Sequence, residues 1–158
     1  MMMFDTFAQQ IIDQNINFKN ISLTVRRLDL IHPYISGNKY FKLKYNLQHA
    51  HQQGFSQLIT FGGAYSNHIA ATAFAASQFE FNSIGIIRGE ELAHTALNPT
   101  LPTAQNFGMQ LQFVDREFYR RKHSPEVMAM LAQQFPNSYF IPEGGTNDLA
   151  IQGCKEIL

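Results

Sequence analysis

A single cysteine, Cys154, stands among the 158 residues, which excludes an internal disulfide and any structural zinc site built on several thiolates. No apolar run approaches the roughly 20 residues needed to span a bilayer, and the start MMMFDTFAQQ has no basic segment ahead of an apolar core. Net charge is missing as well: 12 Lys and Arg offset 12 Asp and Glu, so there is no overall field of the kind that gathers nucleic acid. Internal repeats and low-complexity stretches are absent too. These absences imply a cytoplasmic, unprocessed chain with no nucleic-acid partner and no membrane partner.

The residues that are present suit one soluble globular chain: 45% are hydrophobic and 15% charged, which excludes disorder as the main state. At this length a fold buries roughly 70% of the surface its unfolded chain exposes, and 14 Phe with 6 Tyr supply large side chains for the core. Charge is unevenly spread. Residues 1–50 carry six Lys or Arg against three Asp, and residues 51–158 six against nine acids.

Hydrophobic period and turn chemistry predict a short helix over 5–14, a strand over 21–28 and a loop over 29–37. Asn38 is expected to cap a helix running to Ala50, closed by a left-handed Gly54, which places Lys39 at a helix start. The pattern then becomes regular: strand 57–61, helix 66–79, strand 83–87, helix 99–107, strand 111–114, helix 125–135, strand 139–141 and a last helix from about Asp148. Four short apolar strands alternating with helices predict a parallel, three-layer α/β unit. In such sheets ligands collect beyond the carboxyl ends of the strands. Three of those ends carry small or polar loops, at 62–68, 88–91 and 142–147.

The loop after the first strand of this unit is the sharpest local signal. Gly62 and Gly63 permit close approach of a ligand to the backbone, and a helix starting at Ser66 or Asn67 turns unpaired N–H groups toward an anion. A glycine turn in which Ser66 simply caps its helix explains the same spacing. The spacing is neither G-x-G-x-x-G nor a nucleophile elbow, which disfavours a dinucleotide site and a serine hydrolase.

Lys39 sits near Lys42 and Lys44 at a dipole's positive end. Both influences lower an amine's pKa and favour the neutral form that attacks a carbonyl, although the local pattern by itself fits a solvated lysine on an amphipathic helix better. His49 and His51 point apart and Glu91 with His94 supplies only two ligands, so no metal is expected. Arg116, Arg120, Arg121 and Lys122 read as a solvated edge, with Tyr119 packed beneath them.

Taken together, Ser36-Gly-Asn-Lys-Tyr-Phe-Lys-Leu-Lys44, Thr60-Phe-Gly-Gly-Ala-Tyr-Ser-Asn-His68 and Ile141-Pro-Glu-Gly-Gly-Thr-Asn147 resemble, in order and spacing, the 1-aminocyclopropane-1-carboxylate deaminase and D-cysteine desulfhydrase family. The resemblance implies the tryptophan-synthase-β-like pyridoxal-phosphate fold, an α/β fold with a three-layer parallel sheet. It spans nearly the whole chain and about the first half of a family member. It implies pyridoxal 5'-phosphate as cofactor and a small amino acid as substrate, converted to ammonia and a 2-oxo acid. A homo-oligomer, a dimer, is implied as well.

By the same resemblance Lys39 looks like the lysine that holds the cofactor and moves protons, and Ser66 like the catalytic serine. Asn38, Lys42 and Asn67 are then cofactor-binding residues, with Lys42 near its phosphate. Ser66, Asn67 and His68 form the substrate carboxylate site. Residues 1–55 would begin the large cofactor-binding domain, 56–141 form the small α/β domain, and 142–158 return toward the large one. The family commonly reads Gly-Gly-Asn-Lys-x-Arg-Lys-Leu-Glu where this chain has Ser36, Phe41 and Lys44 at the first, sixth and ninth positions. Its Gly/Thr-rich phosphate cup and its partner for the pyridine nitrogen have no counterpart in these 158 residues. A catalytically inactive α/β fragment, or a module binding an amino acid or a subunit, is the alternative expectation.

Overall fold

The computed structural model describes Phe4 and residues 10–158. Two strands, β1 (Asp13–Phe18) and β2 (Ile21–Arg26), form an antiparallel hairpin. Six α-helices follow among the described residues, α1 (Asn38–Gln52), α2 (Asn67–Gln78), α3 (Thr100–Asn106), α4 (Arg116–Arg120), α5 (Pro125–Gln134) and α6 (Asp148–Cys154). Between them run β3 (Gln57–Gly62), β4 (Asn82–Arg88), β5 (Met109–Val114) and β6 (Ser138–Ile141). These four strands make one parallel sheet in the order β5-β4-β3-β6.

The sheet is covered on both faces, as a parallel sheet must be. Leu58 of β3 packs with Leu43, Leu47, Ala75 and Ala76 of α1 and α2, while Ile59 and Phe61, pointing the other way, pack with Tyr119, Val127 and Leu131 of α4 and α5. A third cluster joins Ile69 and Ala73 of α2 to Ile87, Leu101, Ala104 and Met109. Helix α2 is buried on most of its circumference because its alanines admit the sheet on one side and neighbouring helices on the other. The expected three-layer α/β unit is therefore present.

Caps set the helix boundaries. Asp115 accepts from the Phe118 N–H at 2.7 Å, Ser124 from Val127 at 3.3 Å with Pro125 in the first turn, and Asn147 from Ala150 at 2.9 Å. Helix α6 lies so close to α1 that a Cβ on Gly153 would stand 2.0 Å from the Phe41 carbonyl oxygen. A buried amide network locks the same pair. Asn46 donates to the Lys42 carbonyl at 2.7 Å and accepts from Tyr139 Oη at 2.9 Å and Asn147 Nδ2 at 2.7 Å.

Two expectations need correction. Of the helix predicted over 5–14, residues 5–9 lie outside the described residues, 10–12 have no regular structure, and 13–14 begin β1. β1 is mostly polar and gains its hydrogen bonds from β2, a partner that local helical spacing ignores. Asn38 is not a side-chain cap either: Gly37, at φ 60°, occupies the cap position and Asn38 is the first helical residue. In the hairpin, Ile16 pairs with Leu23 and Phe18 with Ile21. With Val25 they form one apolar face, and all five are exposed.

Candidate functional site

Three separate sequence segments meet at the carboxyl end of β3 and β6. β3 ends at Gly62, where a Cβ would stand 2.5 Å from Ile69 Cγ1 and 2.9 Å from Ser66, so only glycine lets α2 start this close to the strand. The chain turns through Gly63, whose carbonyl accepts from the Ser66 N–H at 3.1 Å. Ser66 then caps α2, its Oγ accepting from Ile69 N–H at a long 3.4 Å. Capping is thus real but weak, and the Asn67 and His68 N–H groups at the helix start have no carbonyl one turn back to bond.

Lys39, half-buried at the start of α1, faces a cavity of about 570 Å³ that Asn38 and Asn67 also line, with Tyr34, Thr100 and Thr103 on its walls. Its Nζ donates to the Gly144 carbonyl at 3.2 Å. That carbonyl is presented by a left-handed pair, Gly144 at φ 70° and Gly145 at φ 74°, which accounts for the glycines of the third motif. Lys42, one turn on, donates to the same carbonyl at 3.3 Å and to Thr146 Oγ1 at 2.8 Å. It borders not the large cavity but an apolar recess of about 260 Å³ with Thr146, Ala150, Ile151 and Cys154.

The amine of Lys39 is less basic than an ordinary lysine, first because it is buried and second because Lys42 stands beside it. Lys44, expected from its place in the sequence to act on Lys39 as well, turns away to Glu156 Oε2 at 2.8 Å, and Tyr45 donates to the other oxygen of that carboxylate. The lysine that replaces the family's glutamate is thereby matched by a carboxylate on a later segment.

His68, 2% exposed, sits behind the anion-ready turn. Its Nε2 lies 2.8 Å from Thr60 Oγ1, and because that hydroxyl donates to the Ile141 carbonyl at 2.9 Å, the histidine supplies the proton of the shared bond. Nδ1 makes no hydrogen bond of good geometry, with the Pro142 backbone nearby, and the ring faces Gly145, where a Cβ would stand 3.1 Å from it. Burial, then Lys39 and Lys42, push its pKa down to about 3. His68 is therefore neutral and ties β3, β6 and the glycine loop together.

The structure brings Lys39, Asn38 and Asn67 to one cavity; Ser66, next to Asn67, caps α2 without lining that cavity, and Lys42 and His68 both pack against Gly145. Sequence reasoning missed Thr60, which reads as an ordinary strand residue, and the Asn46–Tyr139–Asn147 network, whose members lie far apart in the chain. Among the described residues no cluster of His, Cys, Asp or Glu could hold a metal ion, and no helix is long and apolar enough to cross a membrane.

No family model matches the chain. Solved structures share its architecture: a homologue of 1-aminocyclopropane-1-carboxylate deaminase superposes with TM-score 0.71 at 28% identity, over 86% of this chain and 41% of that one. A hydrogen sulfide-producing enzyme of Fusobacterium nucleatum superposes with TM-score 0.60 at 13% identity, over 87% and 43%. The chain has the α/β fold of pyridoxal-phosphate-dependent enzymes of the tryptophan-synthase-β type.

Among curated proteins, a bifunctional D-cysteine desulfhydrase/1-aminocyclopropane-1-carboxylate deaminase of Arabidopsis thaliana is 30% identical over 85% of this chain and 35% of its own length. A Pyrococcus abyssi protein provisionally named a 1-aminocyclopropane-1-carboxylate deaminase is 31% identical, over 84% and 40%. The homologues of this chain are thus the deaminases and desulfhydrases that its three motifs resemble. The chain spans about two fifths of the length of these relatives.

Proposed function

We propose that this chain carries the lysine and substrate-carboxylate side of a pyridoxal-phosphate-dependent deaminase or desulfhydrase site. Its substrate is 1-aminocyclopropane-1-carboxylate or D-cysteine, and its products are ammonia and a 2-oxo acid, with sulfide as well from D-cysteine. The observation that carries this reading is the convergence of Lys39, Asn67 and the Gly144 carbonyl around an amine of depressed basicity.

The residues fit the cofactor. Lys39 offers a nucleophilic nitrogen at a cavity wall, Asn38 and Asn67 border it, and Lys42 adds a positive charge close by. When bound, the cofactor supplies the electron-withdrawing ring that weakens bonds at the substrate's α-carbon. This chain's residues supply the lysine and carboxylate side of the site. The Asn67 and His68 N–H groups and the Ser66 hydroxyl receive the substrate carboxylate at the α2 N-terminus. Lys39 Nζ, neutral more often than an ordinary lysine at the same pH, takes up and returns a proton. His68 and Thr60 keep the two loops in register. The division into domain parts at 55/56 and 141/142 and the homodimer belong to the same proposal, and sedimentation reads the latter.

Incubation with pyridoxal phosphate, reduction with borohydride and peptide mass mapping test the reading. Label concentrated on Lys39 and lost in Lys39→Ala is expected, together with 2-oxo acid from one of the two amino acids. Label scattered over Lys19, Lys42 and Lys122 supports the inactive or binding-module alternative instead.

A further inference from the structure

A second cleft, of about 780 Å³, opens at the carboxyl ends of β3, β4 and β5, and it shares no lining residue with the cavity that holds Lys39. Its charges come from distant parts of the chain: Arg88 at the end of β4, Arg116 and Arg120 on α4, and Lys122 just after it, against only Glu91 and Glu143. Two of the cations are already matched, Arg116 to Glu91 at 2.9 Å and Lys122 to Glu143 at 3.1 Å. Arg88 and Arg120 are not. Among the described residues neither has an ion pair or a side-chain hydrogen bond.

Tyr119 forms the floor. It is 4% exposed, with the Lys122 ammonium 4.5 Å above its ring and the Arg88 guanidinium at 5.7 Å. Its hydroxyl makes no geometrically sound hydrogen bond, though burial first, and then the nearby Glu143, keep the proton on it. Arg88 also lies against the glycine turn, since a Cβ on Gly63 would meet its guanidinium at 3.7 Å. A packed aromatic floor holds cations in place and a guanidinium left without an acceptor is a ready fork for two oxygens.

We infer that this cleft is a separate site for the oxoanion, carboxylate or phosphate, of a small molecule, with Arg88 and Arg120 as its ligands. Arg88, although exposed, lies between the Gly63 turn and the Tyr119 ring, over the same aromatic floor as Lys122. The site does not depend on pyridoxal phosphate or on turnover, so it stands apart from the function proposed above.

Calorimetric titration of the protein at low ionic strength with inorganic phosphate and, separately, succinate tests the inference. Saturable binding is expected with Kd on the order of 1 mM or tighter for at least one anion, weakened by added salt. The tighter of the two identifies the source of the oxoanion. Arg88→Gln and Arg120→Gln should each weaken it about tenfold, with the far-ultraviolet dichroism unchanged, and Lys39→Ala should leave it intact. No saturation by about 10 mM of either anion would overturn the inference. So would binding that survives the double arginine variant, or that Lys39→Ala abolishes.

Discussion

Lowering the pH below neutrality should destabilise this protein through one buried histidine. His68 has a pKa of about 3 in the folded chain against 6.5 as a free group. Between those values the unfolded chain binds a proton that the folded chain refuses, so stability falls as pH falls. The contribution is complete above pH 6.5 and is lost at about 1.4 kcal/mol per pH unit on the way down. At pH 4.5 the loss from this residue is roughly 2–3 kcal/mol, a large share of the stability of a domain this size.

Urea unfolding followed by dichroism at pH 7.0, 5.5 and 4.5 measures it, provided the slope with urea stays constant. Other groups also titrate over this range, so the decisive quantity is the difference from His68→Gln, whose amide nitrogen can still reach Thr60 Oγ1. The variant should lose stability at pH 7 and show a shallower fall with acid, the gap narrowing by about 2 kcal/mol at pH 4.5. Parallel curves for the two proteins would refute the reasoning, because they would mean that His68 takes up its proton in the folded chain without cost.

Three other perturbations follow from the packing. Gly153→Ala puts a methyl group into the Phe41 carbonyl and should cost at least about 2 kcal/mol in urea unfolding by forcing α6 off α1. Asn46→Ala removes the hub of the buried amide network and leaves Tyr139 and Asn147 without their shared acceptor, a loss of about 2–3 kcal/mol in the same assay. Ser66→Ala, whose cap bond is 3.4 Å long, should cost no more than about 1 kcal/mol and leave the borohydride label on Lys39 in place. A larger stability loss would make Ser66 a structural residue first.

Much of the fold was legible because its signals are local. β3 and β4, buried on both faces, read as apolar runs, and the helices between strands carry their own caps at Ser66, Ser124 and Asn147. The site was legible in part for the same reason: Lys39 at a helix start and Ser66 at a helix cap are one-dimensional features, and the resemblance of three motifs joined them into one expectation. β1 was not legible. Asp13–Phe18 is a strand only because Ile21–Arg26 lies beside it to complete its hydrogen bonds.

Sequence by itself thus determined the alternating α/β pattern, the lysine at the head of α1 and the capped, glycine-led start of α2. Tertiary structure alone decided what those groups face. It turned Lys44 to Glu156, buried His68 against Thr60, brought the Gly144 carbonyl to the Lys39 amine, and gathered Arg88 and Arg120 around Tyr119. The physical reason is range. Backbone period and capping act over one or two turns of chain, whereas desolvation and charge pairing depend on which distant segments the packed sheet sets side by side.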